Sequence, residues 1–347
     1  MPEVHRIARV PGRVNLIGDH TDYTGGLALP MAIPMATTAT FTEHQTGVLT
    51  ITSDAMEHPV EVELRADAAD LPSWALLAQH LAQQLNCPGG SMTVTTTVPL
   101  GAGLSSSASY AVAIALALGA TGDAWELAEL AQAAEAAAGA NVGLLDQVAV
   151  LSARAGFTTA INFTARTVTP VEIPATWQFL IVDSGERRSL ATSAYGDRRA
   201  SCAAAAAIIG PLATAGLENC SELPVDLAPF ARHVVTENAR VTSSIAATRT
   251  DDAVTFGRLM TESHQSLSKD FLVSTPGIDA LVHDLNATPG IYGARMTGGG
   301  FGGCIVALCN PVVVDREGLG GCGWFIAPSA GAAVTDRSGA VTILAAT

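Results

Sequence analysis

One junction limits the folds open to this chain more than any other feature. The run Pro99-Leu100-Gly101-Ala102-Gly103-Leu104-Ser105-Ser106-Ser107-Ala108 follows a Val/Thr-rich stretch, Ser91–Val98, and opens an apolar one, Ser105–Leu118. β-Branched residues predict a strand before it, and Ala, Val and Leu a helix after it. Two glycines let the backbone curl closely round a ligand and present N–H groups, and the helix start adds a positive partial charge. Three serines offer hydroxyls to a phosphate or a metal ion. The run reads either as a glycine turn with a serine N-cap or as an anion site, and the strand–helix setting favours the second.

Composition sharpens that choice. The chain of 347 residues holds 18 Lys+Arg against 32 Asp+Glu, a formal net charge of −14. Lys269, in Ser268-Lys269-Asp270, is its one lysine. A phosphate loop of the Gly-Lys-Ser/Thr kind is therefore absent, as is the strand lysine of protein kinases. An anion must be held by backbone N–H groups, a helix end, serines and arginine. So acidic a chain repels nucleic acid and anionic lipid at long range, so neither is expected as a partner. With 48% apolar and 14% charged residues, disorder is excluded. The longest apolar stretch, near Ala111–Ala120, is too short for a membrane span. Met1–Val10 carries charges and no long apolar run, which predicts no secretion signal and a cytoplasmic protein. The six cysteines show no C-x-x-C pair or zinc spacing and are expected as reduced, mostly buried thiols.

Strands are predicted at Ile7–Ile17, Leu27–Phe41, Leu49–Ser53, Val60–Leu64 and Ser91–Val98, then helices at Trp74–Leu85, Ser105–Leu118, Trp125–Ala138 and Val142–Leu151. A hairpin follows at Gly156–Asn162 and Thr167–Ile173. The second half opens on a strand at Gln178–Asp183. Helices follow near Ser193–Ala215, Phe230–Ala247, Asp251–Lys269 and Ile278–Asn286. Strands return at Ile291–Met296, Cys304–Leu308 and Val341–Ala345. Strands and helices in blocks predict an α+β fold, divided into domains 1–168 and 169–347.

Two further glycine-dense places carry polar chemistry. Thr297-Gly298-Gly299-Gly300-Phe301-Gly302-Gly303 formally contains G-x-G-x-x-G, but an apolar strand follows where a dinucleotide fold needs a helix. A backbone loop lying against a ligand or the first loop fits better. The stretch Pro11–Gly26 packs Arg13, Asn15, Asp19, His20, Asp22 and Tyr23 between apolar segments. Carboxylates that accept from hydroxyls, with an arginine for charge, suit a polyhydroxylated ligand. Asp146 sits alone in an apolar helical stretch, either as a helix cap or, paired with Arg13, as an ionised base. Glu135 faces either ligand or solvent.

Together these stretches resemble the GHMP small-molecule kinases, and among them the galactokinase branch. Pro11–Pro30 is similar to that branch's sugar signature, Pro99–Ser109 to the nucleotide-phosphate loop and Met296–Cys304 to the third motif. Gly143–Gln147 resembles the catalytic aspartate segment and Asp183–Arg199 the segment with the sugar-side tyrosine. Glu237–Arg240 and Glu262–His264 also fit. The resemblance implies a two-domain fold with the active site in the inter-domain cleft, and ATP and Mg²⁺ as cofactors. It implies an ATP-dependent sugar 1-kinase acting on D-galactose. The alternatives are another sugar (L-arabinose, N-acetylgalactosamine or a deoxyhexose) or a non-catalytic sugar- and ATP-sensing homologue. By position, Asp146 matches the base and Arg13 the charge-stabilising arginine. Arg13, Asp19, His20, Asp22, Gly143, Asp146 and Tyr195 match sugar contacts. Gly101, Gly103, Leu104, Ser105, Ser106 and Ser107 match phosphate-loop contacts, with Trp74 and Arg187 beside the adenine. Ser106 and Glu135 match the metal site. Galactokinases carry Glu where this chain has Asp19, and the interval from Glu135 to Asp146 is one residue shorter than in the family.

Overall fold

The first strand, β1 (His5–Asn15), ends in six consecutive buried residues and runs straight into the polar Gly18–Gly26 turn. The computed structural model describes residues 5–66, 71–186, 191–315, 323–336 and 338–344, with backbone only at 191–193. After β1 come β2 (Leu27–Ala28), β3 (Pro30–Glu43), β4 (Val48–Ser53) and β5 (Val60–Glu63). Next are helix α1 (Ser73–Gln84), β6 (Gly90–Thr96), α2 (Ser106–Ala117), α3 (Ala124–Ala137) and α4 (Leu145–Ser152). A hairpin, β7 (Phe157–Asn162) and β8 (Thr167–Glu172), precedes β9 (Gln178–Asp183). Then follow α5 (Ala191–Ile209), α6 (Ala228–Arg249), α7 (Ala253–Lys269) and α8 (Pro276–Ala287). The chain ends with β10 (Ile291–Met296), β11 (Cys304–Cys309), β12 (Gly323–Ile326), β13 (Ala333–Asp336) and β14 (Val341–Ile343).

Local chemistry explains these elements. β6 alternates buried and exposed residues, as a strand with one face in a core must. β11 is buried at all six positions because it lies between β10 and β9. α2 buries residues around most of its circumference, and its alanines let neighbours approach closely. A reciprocal capping box between Asp123 and Glu126 starts α3. Thr275, with Pro276 behind it, starts α8.

Three sheets result. The largest has the order β14-β13-β1-β3-β6-β4-β5, antiparallel except for the β4–β6 pair. Helices α1 to α4 cover it around a core that includes Phe41, Ile51, Leu81, Ile114 and Val148. The second sheet, β10-β11-β9-β12, is covered by α5 to α8 around Leu180, Phe271, Val282 and Ile305. A third core, with Leu16, Ile33, Trp177 and Phe256, joins the two halves. The blocks of strands and helices expected of an α+β fold are present. β12 and β13 add two strands that the sequence pattern did not reveal. β13 pairs with β1 and β14 with β13, so these two late strands belong to the first sheet.

β10 and β11 pair as an antiparallel hairpin around the glycine loop, with Thr297 N–H bonded to the Cys304 carbonyl at 3.0 Å. That geometry leaves no βαβ unit there. Among the described residues no helix is long and apolar enough to cross a membrane. Cys202, Cys220, Cys304 and Cys309 are buried and Cys87 is half-buried; Cys322 lies outside the described residues.

Candidate active site

The phosphate-type loop is fixed to β1 by its backbone. Arg13 N–H donates to the Leu104 carbonyl at 3.2 Å, and Arg13 Nη1 donates to the Gly103 carbonyl at 2.8 Å. Gly101 and Gly103 both take φ near +75°, the left-handed region that glycine enters freely. Ser105 also adopts φ 63°, which costs a non-glycine residue about 1–2 kcal/mol. Its hydroxyl does not cap α2 but donates to Asp146 Oδ2 at 2.7 Å. The N-terminal N–H groups of α2 thus have no side-chain cap, which suits an anion.

Asp146 stands in the first turn of α4, where the helix dipole favours a carboxylate. Arg13 Nε donates to its Oδ1 at 2.7 Å, and Arg13 Nη2 contacts the same oxygen. The Arg13 side chain is 6% exposed and that of Asp146 30%, so the arginine is buried and the carboxylate opens to a cavity.

That cavity, about 240 Å³, is lined by Arg13, Asp19, His20, Asp22, Asp146 and Tyr195, with Gly143 and the Gly298-Gly299 loop completing it. Its walls come from both halves of the chain. Burial pushes Asp22 up to about 6, and the Asp146 charge adds to the rise. Asp22 Oδ2 accepts from Leu145 N–H at 3.4 Å, at the start of α4. A β-carbon at Gly143 would lie 1.6 Å from Asp22 Oδ2, so any other residue there would displace the Asp22 carboxylate or the chain beside it. His20 contacts Tyr23 Oη through Nδ1 at 3.0 Å, and its ring packs 4.5 Å from Phe271 and 5.4 Å from Tyr195. Burial raises the Tyr195 hydroxyl far above its usual range, so it stays protonated and can donate.

A second cavity of about 400 Å³ adjoins the first at Ala140. Met56, Trp74, Leu77, Leu100 and Tyr110 give it an apolar wall, and Ser106, Ser107 and Glu135 a polar end. Burial pushes Glu135 up to about 7, although Ser107 and Gln147 both donate to it. Ser107 Oγ donates to Glu135 Oε1 at 2.5 Å, and Ser106 lines the same polar end. These hard oxygen donors suit Mg²⁺. Among the described residues no three His, Cys, Asp or Glu side chains gather as a closed metal cage. One carboxylate with phosphates and water is the usual magnesium environment.

Two fully buried charged groups, Arg295 and Glu237, stand behind the Asp19 end of the first cavity. Arg295, with no exposure, donates through Nη2 to Asp19 Oδ2 at 2.6 Å. Burial pushes the Asp19 carboxyl up, and Arg295 opposes it. Glu237, also fully buried, accepts from Gly18 N–H at 2.9 Å, Ser263 Oγ at 2.6 Å and Arg240 Nε at 2.7 Å. Burial alone would raise its carboxyl, but Arg240, His233 and Arg295 outweigh that and hold it near 2. The Glu237–Arg240 segment was marked in the sequence only by its family resemblance; Arg295 was not marked at all. Arg187, expected beside the adenine, lies outside the described residues.

A glycine loop at a helix start, an apolar cavity and a carboxylate–arginine pair describe a small-molecule phosphotransferase, and the chain carries the domains of one. Residues 73–154 match the profile described as GHMP kinases N terminal domain, and residues 244–317 that described as GHMP kinases C terminal. Residues 2–43 match the galactokinase galactose-binding signature. Galactokinase of Mycobacterium tuberculosis (strain ATCC 25618 / H37Rv) is 41% identical over 326 residues, 88% of each chain. Human galactokinase is 39% identical over 323 residues, 86% of this chain and 82% of its own. The crystal structure of Lactococcus lactis galactokinase complexed with galactose superposes with a TM-score of 0.85 over 94% of both chains, at 26% identity. The chain belongs to the galactokinase family. It is therefore an ATP-dependent phosphotransferase acting on a sugar hydroxyl.

Proposed function

We propose that the chain transfers the γ-phosphoryl group of ATP to the anomeric hydroxyl of D-galactose, with Asp146 as base. The observation that carries this reading is the position of Asp146, held by Arg13 and Ser105 in the lining of the 240 Å³ cavity, which adjoins the 400 Å³ cavity at Ala140. The galactose-binding signature over residues 2–43 supports galactose as the acceptor. The sugar occupies the 240 Å³ cavity, with Asp19, His20, Asp22 and Tyr195 answering its hydroxyls. ATP lies along the 400 Å³ cavity, its adenine near Trp74 and its phosphates against Gly101–Ser107 and the start of α2. The parts then come from domains 1–168 and 169–347, with β13 and β14 returning to the first.

Asp146 takes the anomeric proton as the sugar oxygen bonds to the γ-phosphorus. The bond from that phosphorus to the β–γ bridging oxygen breaks, and ADP leaves. Arg13 steadies Asp146 and faces the charge that develops between sugar and phosphate. Positioning and electrostatics supply most of the rate in such transfers. Ser106 and Glu135, with Ser107 beside them, would hold Mg²⁺, which when bound neutralises phosphate charge.

Asp19, where the family resemblance leads one to expect glutamate, keeps a second acceptor sugar in view: L-arabinose, N-acetylgalactosamine or a deoxyhexose. Coupled ADP-release kinetics across a sugar panel separate these. The reading expects the highest kcat/KM with D-galactose. A higher value with another sugar overturns the acceptor assignment.

A further inference from the structure

Arg295 is the largest side chain with no exposure. It stands on β10, two residues before the glycine loop, and does not line the sugar-side cavity. Its Nη2 meets Asp19 Oδ2 at 2.6 Å, its Nη1 lies 3.5 Å from the Asn15 carbonyl oxygen, and its Nε has no hydrogen-bond partner among the described residues. The backbone that carries it is rigidly seated. Thr297 Oγ1 accepts from Asn15 N–H and donates to the Asn15 carbonyl, each at 3.0 Å, which ties the end of β10 to the end of β1. On the other side a β-carbon at Gly293 would lie 1.9 Å from the Gly257 carbonyl oxygen, so β10 and α7 meet backbone to backbone. A cation buried this completely is costly unless a carboxylate answers it. The carboxylate in direct contact is Asp19, which does line the cavity.

We infer that Arg295 is a positioning and specificity-determining residue of the sugar pocket: it fixes Asp19 as an ionised acceptor at the cavity wall and so selects a neutral sugar with a hydroxyl donor there. This rests on the assignment of that cavity to the sugar. An ionised carboxylate only accepts hydrogen bonds. A ligand lacking that hydroxyl leaves the carboxylate unanswered, and an anionic group is repelled. Arg295 acts through Asp19 and not on the reacting atoms, so its effect falls on sugar binding.

A double-mutant cycle with Arg295→Met and Asp19→Asn tests this, read as D-galactose KM from ADP release and as Kd by calorimetry. Arg295→Met is expected to raise sugar KM by roughly 30-fold or more, because truncating one partner strands a buried charge. The same change leaves kcat and the ATP KM within about threefold, since they depend on other groups. In the Asp19→Asn background, adding Arg295→Met changes sugar KM by less than about threefold, because the charge it served is gone. Arg295→Lys restores part of the loss. The monodeoxygalactose that wild type discriminates against most loses that handicap in Arg295→Met. Equal losses from Arg295→Met in both backgrounds, a loss confined to kcat, or unchanged discrimination would overturn the inference. Should Arg295→Met not fold, the double variant, which removes both buried charges, and Arg295→Lys carry the comparison. Wild type that binds galactose yet releases no ADP ends the kinase reading and leaves the cycle legible in Kd.

Discussion

Arg13 and Asp146 are 133 residues apart in the chain and 2.7 Å apart in space, measured from Nε to Oδ1. The same guanidinium reaches the Gly103 carbonyl, so one buried arginine ties together β1, the glycine loop and the first turn of α4. Asp146 takes its other oxygen's bond from Ser105, whose left-handed backbone turns the hydroxyl toward it. The loop that would meet phosphate and the carboxylate that would take the proton are therefore held by one set of contacts.

Gly143→Ala tests how tightly the sugar side is built. The added β-carbon would lie 1.6 Å from Asp22 Oδ2, so Asp22 or the start of α4 must move. A displacement of about 1 Å in such a site costs on the order of 100-fold in kcat/KM. Steady-state kinetics with D-galactose should show that loss while thermal unfolding stays cooperative. A value near wild type would show that the contact between Gly143 and Asp22 has no bearing on the reaction.

The pH dependence follows from Asp22. Burial raises its carboxyl to about 6, so the folded protein keeps a proton that the unfolded chain releases near its ordinary value of 3.8. Its contribution to stability is present below pH 3.8 and is lost as pH rises through about 6. The same ionisation produces the acceptor that a sugar hydroxyl needs. We expect kcat/KM for the sugar, which reports the free enzyme, to rise with an apparent pKa near 6. Asp22→Asn should lower kcat/KM and remove that inflection. An unchanged profile in the variant would assign the titration elsewhere.

Glu237 is a structural prediction. Its carboxylate answers Gly18 N–H, Ser263 and Arg240 with no exposure to water. Glu237→Ala leaves all three unpaired and should cost about 3–5 kcal/mol, read as a lower urea midpoint. Glu237→Gln keeps an acceptor and should lose less. Equal midpoints for Glu237→Ala and wild type would contradict the hub.

The parts legible in the sequence were local ones. The glycine–serine run, the polar stretch from Pro11 to Gly26 and the lone carboxylate of Asp146 each carry their signal within a few residues. Each of the three lines one of the two adjoining cavities. Ser105 stands at the N-cap position of α2 without capping it, because its hydroxyl donates to Asp146 instead. Helix α4 starts at Leu145 rather than Val142, with the Leu145 N–H donating to Asp22 Oδ2. Arg295 was invisible because its partner lies 276 residues away and nothing near it in the chain marks it as buried. β13 was hidden in the same way: Ala333–Asp336 is a weak strand alone and exists through its pairing with β1 at the other end of the chain.

The central claim is that Asp146 removes the sugar proton, and Asp146→Ala tests it most directly. ADP release should be measured with saturating D-galactose, ATP and Mg²⁺, with folding checked by circular dichroism. Loss of a general base typically lowers the rate 10²–10⁴-fold, so kcat is expected to fall by at least about 100-fold. A fall of less than about tenfold in a folded variant would contradict the role given to Asp146.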